Sequence, residues 1–269
     1  MVMESQKKTD LRMHRWMSKS LEIVTHCYCP PNVTQYARML EWQFQSIMNN
    51  RTDGSVTLSV CYSKDDHITS LTLKALDELP AVDGVFLNPI PLDEGHLFRR
   101  SVGRNIAATA SSADIVYFTD VDYFFGAGFF VDIMASVETQ SGLCCPNAVK
   151  ISTTHEFGDR MLAEVAPGTI QEKWFTLKGI RKAIGGVQVI GGATARKYGY
   201  LDKTKWVKPV DPEMGFRSCR GDVRFRRKMI KALGDIEYFS TSSLYRVRHS
   251  VDGRDFTFSG EQLKGREAW

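Results

Sequence analysis

Apolar and amphipathic stretches alternate along the first 120 residues, and this alternation is the strongest constraint on the fold. Four short apolar runs predict β-strands, at 21–27, 55–62, 82–88 and 113–120. Three segments with apolar residues at helical spacing lie between them, at 33–50, 68–79 and 96–112. This β-α-β-α-β-α-β order predicts an α/β fold with a mostly parallel, doubly wound sheet. Ligands of such sheets bind beyond the carboxyl ends of the strands.

The second half of the chain is less regular. Its patterns predict helices at 129–140 and 221–233, a short helix within 170–184, and strands at 142–152, 185–192 and 236–250. No internal repeat, low-complexity tract or linker interrupts the chain, so we predict a single compact domain over residues 1–269.

Composition limits the cellular setting of the chain. No run approaches the roughly 18 apolar residues that a membrane helix needs, and the basic N-terminus lacks the apolar core of a signal peptide. These features predict a cytoplasmic protein without membrane insertion. Six cysteines occur without a C-x-x-C pair, which argues against structural zinc and favours reduced thiols.

Two carboxylates, Asp120 and Asp122, stand one residue apart where the fourth apolar run ends. Carboxylate oxygens suit Mg²⁺ or Mn²⁺, which take further ligands from water and substrate phosphates. Both carboxylates can serve one ion only if the chain turns there, because residues i and i+2 of a strand point to opposite faces. Taken alone, the pair is more often a solvated strand end than a metal site.

The surroundings of the pair favour a metal site. Arg104 and Asn105 lie in the preceding helix, and three further motifs follow in order: GGVQVIGGATARKYGYLD (185–202), MGFRSCRGDVRFRRK (214–228) and YRVRHS (245–250). This series resembles the nucleotide-sugar glycosyltransferases of the GT-A fold, especially the family 2 type, over roughly residues 20–250. The resemblance implies a Rossmann-like GT-A domain with a nucleotide-binding half at 1–125 and an acceptor half at 126–269.

The resemblance also implies a set of metal ligands. Asp122 is the expected direct ligand, Asp120 contacts the ribose or the metal through water, and His249 is the third ligand. The ion, Mn²⁺ or Mg²⁺, would bridge the diphosphate of a nucleoside-diphosphate sugar, with a UDP-sugar as the expected donor.

Several residues match the family's sugar-nucleotide contacts. The set comprises Thr25, Cys27, Tyr28, Asp65, Asp66, Arg104, Asn105, Asp120, Val121, Gly191 and Gly192. Asp65 and Asp66 have turn residues as their alternative interpretation, and Arg104 has helix packing as its alternative.

Asp222 matches the position of the general base that deprotonates the acceptor hydroxyl. It could also cap the helix that follows, and the two roles are compatible. The sequence departs from the family at Gly221, where the first acid of an E-D pair is expected. With Asp222 as base the transfer would invert the anomeric centre; without it, retention stays open.

Clusters of basic residues at 98–104, 196–208 and 217–231 suit an anionic acceptor. One such acceptor is a hydroxymethylated pyrimidine in phage DNA, and a glycan or a protein is the alternative. Candidates for contacts with exposed bases are Trp174, Phe175, Trp206, Phe216 and Phe225.

Two other classes of protein were weighed. A nucleic-acid-binding module without catalysis is an alternative, although such a module needs no Asp pair. A nucleotidyltransferase would show a Gly-rich basic loop after the first strand, which residues 25–35 lack. The sequence does not indicate the oligomeric state.

Overall fold

A computed structural model describes residues 19–31, 33–50, 53–139, 142–201, 208–209 and 220–250. Its strands are β1 (Ser20–His26), β2 (Ser55–Ser63), β3 (Val85–Leu92), β4 (Ile115–Phe118), β5 (Tyr123–Phe125), β6 (Cys144–Pro146), β7 (Ala148–Ser152), β8 (Phe175–Gly179), β9 (Gln188–Gly191), β10 (Glu237–Phe239) and β11 (Leu244–Arg246). Its α-helices are α1 (Gln35–Asn49), α2 (His67–Asp77), α3 (Glu94–Leu97), α4 (Arg100–Ala110), α5 (Phe129–Thr139), α6 (His155–Glu164), α7 (Gly192–Tyr198) and α8 (Gly221–Leu233).

The main sheet has seven strands in the order β10-β6-β9-β4-β1-β2-β3. Strands β4, β1, β2 and β3 run parallel to one another, and β10 runs parallel to β6. Strand β9 is antiparallel to both of its neighbours, β4 and β6. Helices cover both faces, so the chain has the mixed α/β architecture that the first 120 residues predict, and it is compatible with a Rossmann-like fold.

Strand β1 lies inside this sheet and divides the core into two clusters. Because side chains alternate between the faces of a strand, Leu21 and Ile23 pack with α1, whereas Val24 packs with α4 and α8. The α1 side is the larger cluster and includes Trp42, which is fully buried and stacks on Phe124. Strand β4 is apolar and buried along its whole length, as expected for a strand that is covered on both faces.

A second sheet of four strands, in the order β5-β11-β7-β8, starts directly after the Asp pair. Residues 119–122 form the turn that leads from β4 in the first sheet to β5 in the second. Strand β11 pairs with β5 and brings Arg246 opposite Tyr123. The chain therefore turns at Asp120 and Asp122, as is required if both carboxylates are to serve one ion.

Several of the predicted elements differ in the structure. The strand predicted at 82–88 is β3 at Val85–Leu92, and the strand predicted at 236–250 is β10 and β11, which enter different sheets. The helix predicted at 96–112 is two helices, α3 and α4, because the chain bends at Arg99. The strand predicted at 142–152 is β6 and β7, which break at Asn147 and enter different sheets. The helix predicted within 170–184 is a 3₁₀ turn at Glu172–Trp174 followed by β8, which pairs with β7 along its whole length. For β6, β7 and β8 the deciding contacts are strand pairings with other segments.

Helix α8 has the predicted bounds of 221–233. Among the residues that the structure describes, no helix has the length and apolarity that would let it cross a bilayer.

Candidate functional site

Asp120 lies at the carboxyl end of β4 and is paired with two arginines from α4. Its Oδ1 atom accepts hydrogen bonds from Arg100 Nη1 at 2.7 Å and from Arg104 Nη2 at 3.0 Å. The two arginines are one helical turn apart, so both reach the same carboxylate. A quarter of the Asp120 side chain, 26%, is exposed, which leaves this carboxylate accessible from solvent.

Arg104 is buried because α4 lies directly on the sheet. A β-carbon at Gly103 would come within 2.5 Å of both His26 Nε2 and Cys61 Sγ, so only glycine permits this approach. Arg104 also donates to the Thr119 carbonyl and to the Tyr200 hydroxyl. Burial lowers the pKa of Arg104, but Tyr200 and Asp120 outweigh it and hold the pKa above its usual value. The guanidinium is therefore a fixed positive charge beneath the site.

Asp122 is more deeply buried than Asp120, with 7% of its side chain exposed. Its Oδ2 atom accepts a 2.8 Å hydrogen bond from Arg246 Nε, and the guanidinium lies 5.5 Å above the Tyr123 ring. The attraction of Asp122 is the main cause that raises the pKa of Arg246. The other oxygen, Oδ1, is buried without a hydrogen-bond partner. A buried carboxylate oxygen without a donor is a position that a cation can fill.

His249 follows β11 and packs edge-on against Tyr36 of α1, with the ring centroids 5.7 Å apart. Its carbonyl is hydrogen-bonded to His155 Nδ1, and its own Nδ1 atom is buried without a partner. The described residues include no group of three His, Cys, Asp or Glu side chains arranged to hold a metal. Two of the predicted ligands, Asp122 and His249, thus each have a buried polar atom without a hydrogen-bond partner. The described residues do not bring Asp120, Asp122 and His249 together as a metal site.

Asp222 lies near the Arg104 guanidinium, and Gly185, which precedes β9, lies between them. A β-carbon at Gly185 would lie 3.1 Å from Arg104 Nη1 and 3.4 Å from Asp222 Cβ, so this glycine sits between them. Asp222 is the second residue of α8, and the helix cap is Arg220. The alternative that Asp222 is the helix cap is therefore wrong, although a carboxylate in the first turn still interacts favourably with the helix dipole.

Gly221 has a structural reason for lacking a side chain. Its β-carbon would come within 3.0 Å of Ser101 Cβ, so α8 touches α4 at this residue. An acid in this position, as the family resemblance leads one to expect, would push the two helices apart.

A chain of buried hydrogen bonds joins the two sides of the site. The Tyr200 hydroxyl accepts from Arg104 and donates to Gln188 Oε1 at 2.7 Å. Gln188 Nε2 in turn donates to the Asp222 carbonyl at 3.1 Å. Arg104, Tyr200 and Gln188 are all at most 3% exposed. The position of Asp222 is therefore coupled to the arginine that holds Asp120.

The structure does not bring Gly191 and Gly192 to this site. Because β9 is antiparallel to β4, Gly191 pairs with Ile115 at the amino end of β4, the end opposite Asp120. The glycines at the site are Gly185 and Gly186. The sequence contains both pairs, and only the strand direction tells them apart.

Asn105 and Asp66 have structural partners instead of an open face toward a ligand. Asn105 Oδ1 accepts from the backbone amides of Tyr200 and Leu201, which holds the chain after α7. Asp66 caps α2 through the Thr69 amide and also accepts from the Cys29 amide at 2.6 Å. These contacts support the turn-residue alternative for Asp66.

The remaining predicted contacts with the nucleotide differ in exposure. Tyr28 is half-buried at the carboxyl end of β1 and packs edge-on against Phe98, so its ring is the available surface for a base. Asp65 is exposed. The side chains of Thr25, Cys27 and Val121 are buried, and Thr25 Oγ1 has no hydrogen-bond partner. Asp65 thus keeps an accessible side chain and Tyr28 a partly accessible one, whereas Thr25, Cys27 and Val121 present little or no surface to a ligand.

Three charged or titratable residues at the site were not predicted as site residues. Arg100 could have been found, because it precedes Arg104 by one helical turn. Arg246 depends on the pairing of β11 with β5, which no local pattern reveals. His26 is buried beneath α4 with neither ring nitrogen hydrogen-bonded, and burial, Arg104 and Arg100 lower its pKa well below the usual value.

The fragments 202–207 and 210–219 of the predicted motifs, together with Trp206, Phe216 and Cys219, lie outside the described residues. Comparison of the chain with models of known protein families and with curated proteins finds no match, so the site itself has to carry the functional argument.

Proposed function

We propose that this chain is a metal-dependent glycosyltransferase of the GT-A type, which transfers a sugar from a nucleoside-diphosphate sugar to an acceptor hydroxyl. The observation that carries the proposal is the buried, unpartnered Oδ1 atom of Asp122 at the carboxyl end of β4. Asp120 adjoins it, and Asp222 lies on the far side of Arg104. A mostly parallel sheet followed by an irregular half is also the architecture that the GT-A interpretation requires.

The divalent ion of this proposal would be held by the Asp pair. Asp122 Oδ1 supplies a free carboxylate oxygen, Asp120 is its partly exposed neighbour, and His249 Nδ1 is a further nitrogen without a partner. One or two carboxylates are enough for Mg²⁺ or Mn²⁺ when a diphosphate and water complete the shell. An ion in this position would neutralise the charge that develops on the leaving nucleoside diphosphate.

The chain's own residues account for the other requirements of the transfer. Arg100 and Arg104 add positive charge beside Asp120, where the diphosphate would lie. The Asp222 carboxylate accepts the proton of the acceptor hydroxyl while the acceptor oxygen forms a bond to the anomeric carbon. The bond from that carbon to the diphosphate oxygen breaks, and the nucleoside diphosphate leaves with the electron pair.

A second function is favoured by the arginine contacts themselves. Asp120 and Asp122 already have guanidinium partners, and such pairs could simply fasten α4 and β11 to the end of β4. The chain would then be a non-catalytic module. Replacing Asp122 separates the two functions, because only the transferase needs the free Oδ1 atom.

The test measures thermal stability with UDP and Mn²⁺, together with turnover of a panel of sugar nucleotides detected by mass spectrometry. We expect UDP to stabilise the wild-type protein only when Mn²⁺ is present. Asp122→Asn keeps the shape of the side chain and should abolish this shift and reduce turnover at least about 100-fold. Asp77→Asn makes the same charge change at an exposed residue of α2 and should behave like the wild type. If metal-loaded wild type neither binds UDP nor consumes any donor, the transferase assignment is wrong.

A further inference from the structure

Helix α8 has one face that consists entirely of basic residues. Arg224, Arg227 and Lys231 follow one another at spacings of i, i+3 and i+7, which places them on a single stripe of the helix, and Arg220 precedes the helix as its N-cap. All four are exposed, whereas Phe225 and Met229 on the opposite face are buried. We call these four residues the basic stripe.

The other two basic residues of α8 have a different role. Arg226 donates to the Ala183 carbonyl, and Lys228 donates to the carbonyls of Tyr198 and Leu201. These contacts fasten the helix on both flanks and fix the direction in which the stripe points. Within the described part of the chain, Arg227 and Lys231 form no hydrogen bond or ion pair. Their charges are therefore available to an external anion.

The stripe matches an extended polyanion better than a small one. The seven-residue rise from Arg224 to Lys231 spans about 10 Å, over which a nucleic-acid strand presents about three phosphates. An anionic membrane surface fits less well, because a membrane-surface helix inserts apolar side chains beside its charges. Here the apolar residues Phe225 and Met229 face the core. Phe225 stacks on Tyr200 with 4.2 Å between the ring centroids, so it is not free to contact an exposed base.

The stripe and Asp222 lie on opposite sides of α8. At 3.6 residues per turn, Asp222 is roughly 140° to 180° around the helix axis from Arg224, Arg227 and Lys231, on the side that faces Arg104. A nucleic acid bound along the stripe would therefore be held on the outer face of α8, away from the Asp222 carboxylate.

We propose that the basic stripe binds the phosphate backbone of a nucleic acid. This proposal does not rest on the proposed glycosyltransferase function. Contacts confined to phosphates make the binding insensitive to base sequence and strongly dependent on salt.

The test is fluorescence anisotropy of a labelled duplex oligonucleotide over a range of salt concentrations, without sugar nucleotide or metal. The variant Arg227→Glu with Lys231→Glu should bind at least about 10-fold more weakly at low salt. Its slope of log K against log salt should be shallower by about 1.8, because two phosphate contacts are lost. The matched control reverses one arginine and one lysine elsewhere, Arg160 and Lys74, whose side chains are 66% and 71% exposed.

Each outcome has a stated meaning. Equal weakening in both double variants would mean that net charge alone is responsible, and it would overturn the proposal. Binding to vesicles of anionic lipid but not to the duplex would also overturn it. Loss of duplex binding while the UDP–Mn²⁺ stabilisation persists would support the stripe and leave the donor site intact. Duplex binding without any UDP–Mn²⁺ effect would support the stripe but refute the transferase, so the two failures are distinguishable.

Discussion

Both ends of β4 lie beside the antiparallel strand β9, and a glycine pair of the β9 segment lies at each end. The two glycine pairs differ in what they contact. At the amino end the Gly192 amide donates to the Asp114 carbonyl at 2.6 Å, and the backbones touch. At the carboxyl end Gly186 accepts from the hydroxyls of Tyr117 and Thr119, and Gly185 leaves room for Arg104. Glycine allows close backbone contact at the amino end of β4, and at the carboxyl end it leaves space for the charged side chain of Arg104.

The largest effect is expected from substitution of the glycines at the two ends. An added β-carbon at Gly192 would lie 1.8 Å from the Ala113 carbonyl oxygen, so Gly192→Ala should cost about 3 kcal/mol of unfolding free energy in urea. At Gly185 the nearest atom would be Arg104 Nη1 at 3.1 Å, and Gly185→Ala should cost less than about 1 kcal/mol. Donor turnover per folded molecule should instead fall in Gly185→Ala alone. Similar losses of stability in both variants would show that the two ends are packed alike.

A smaller effect is expected at the buried chain of hydrogen bonds. Tyr200→Phe keeps the stack on Phe225 but leaves Gln188 Oε1 without its donor and Arg104 Nη1 without an acceptor. Unpaired buried groups of this kind should cost about 2 kcal/mol in urea denaturation. Turnover should fall as well, because Gln188 also holds the Asp222 carbonyl. The control is Tyr198→Phe, at a half-buried tyrosine of α7, which should change stability by less than about 0.5 kcal/mol.

The smallest expected effect is a pH dependence of the unfolding free energy, caused by His26 near the carboxyl end of β4. Burial, Arg104 and Arg100 lower the pKa of His26 in the folded state, while Asp120 opposes them. The unfolded chain then binds the proton more readily, so the stability contributed by His26 is present above about pH 6.5 and is lost as the pH falls. Between about pH 7 and 5.5 the unfolding free energy should drop by about 1 kcal/mol through this residue.

Urea titrations of His26→Gln across the same pH range provide the measurement. The variant should lack this part of the pH dependence, whereas His67→Gln, at an exposed position of α2, should retain it. A pH dependence that survives in His26→Gln would mean that other groups cause it.

The first half of the fold could be predicted because its information is local. Strand β4 is a continuous apolar run, β1 and β2 are mostly buried apolar segments, and helices α1 and α2 carry regular amphipathic spacing. Asp120 and Arg104 belong to consecutive elements of this half, and they form an ion pair.

The rest depends on pairings that the sequence does not encode locally. The local sequence of β8 predicts a helix, and its strand conformation depends on its pairing with β7. Arg246 meets Asp122 only because β11 joins β5 across more than a hundred residues of chain. Gly185 and Gly186 lie at the site in place of the predicted Gly191 and Gly192 because β9 runs antiparallel to β4.

The antiparallel strand β9 also has a consequence for how the molecule assembles. It lies between β4 and β6, so it can pair fully only after the strands on both sides have formed. Gly185, Gly186 and Gln188 arrive with it, and they are the residues that place Asp222 beside Arg104. Pairings so distant in sequence are expected to form late in folding. A partly folded or newly synthesised chain would then carry the Asp pair without Asp222 beside Arg104 until the sheet is complete.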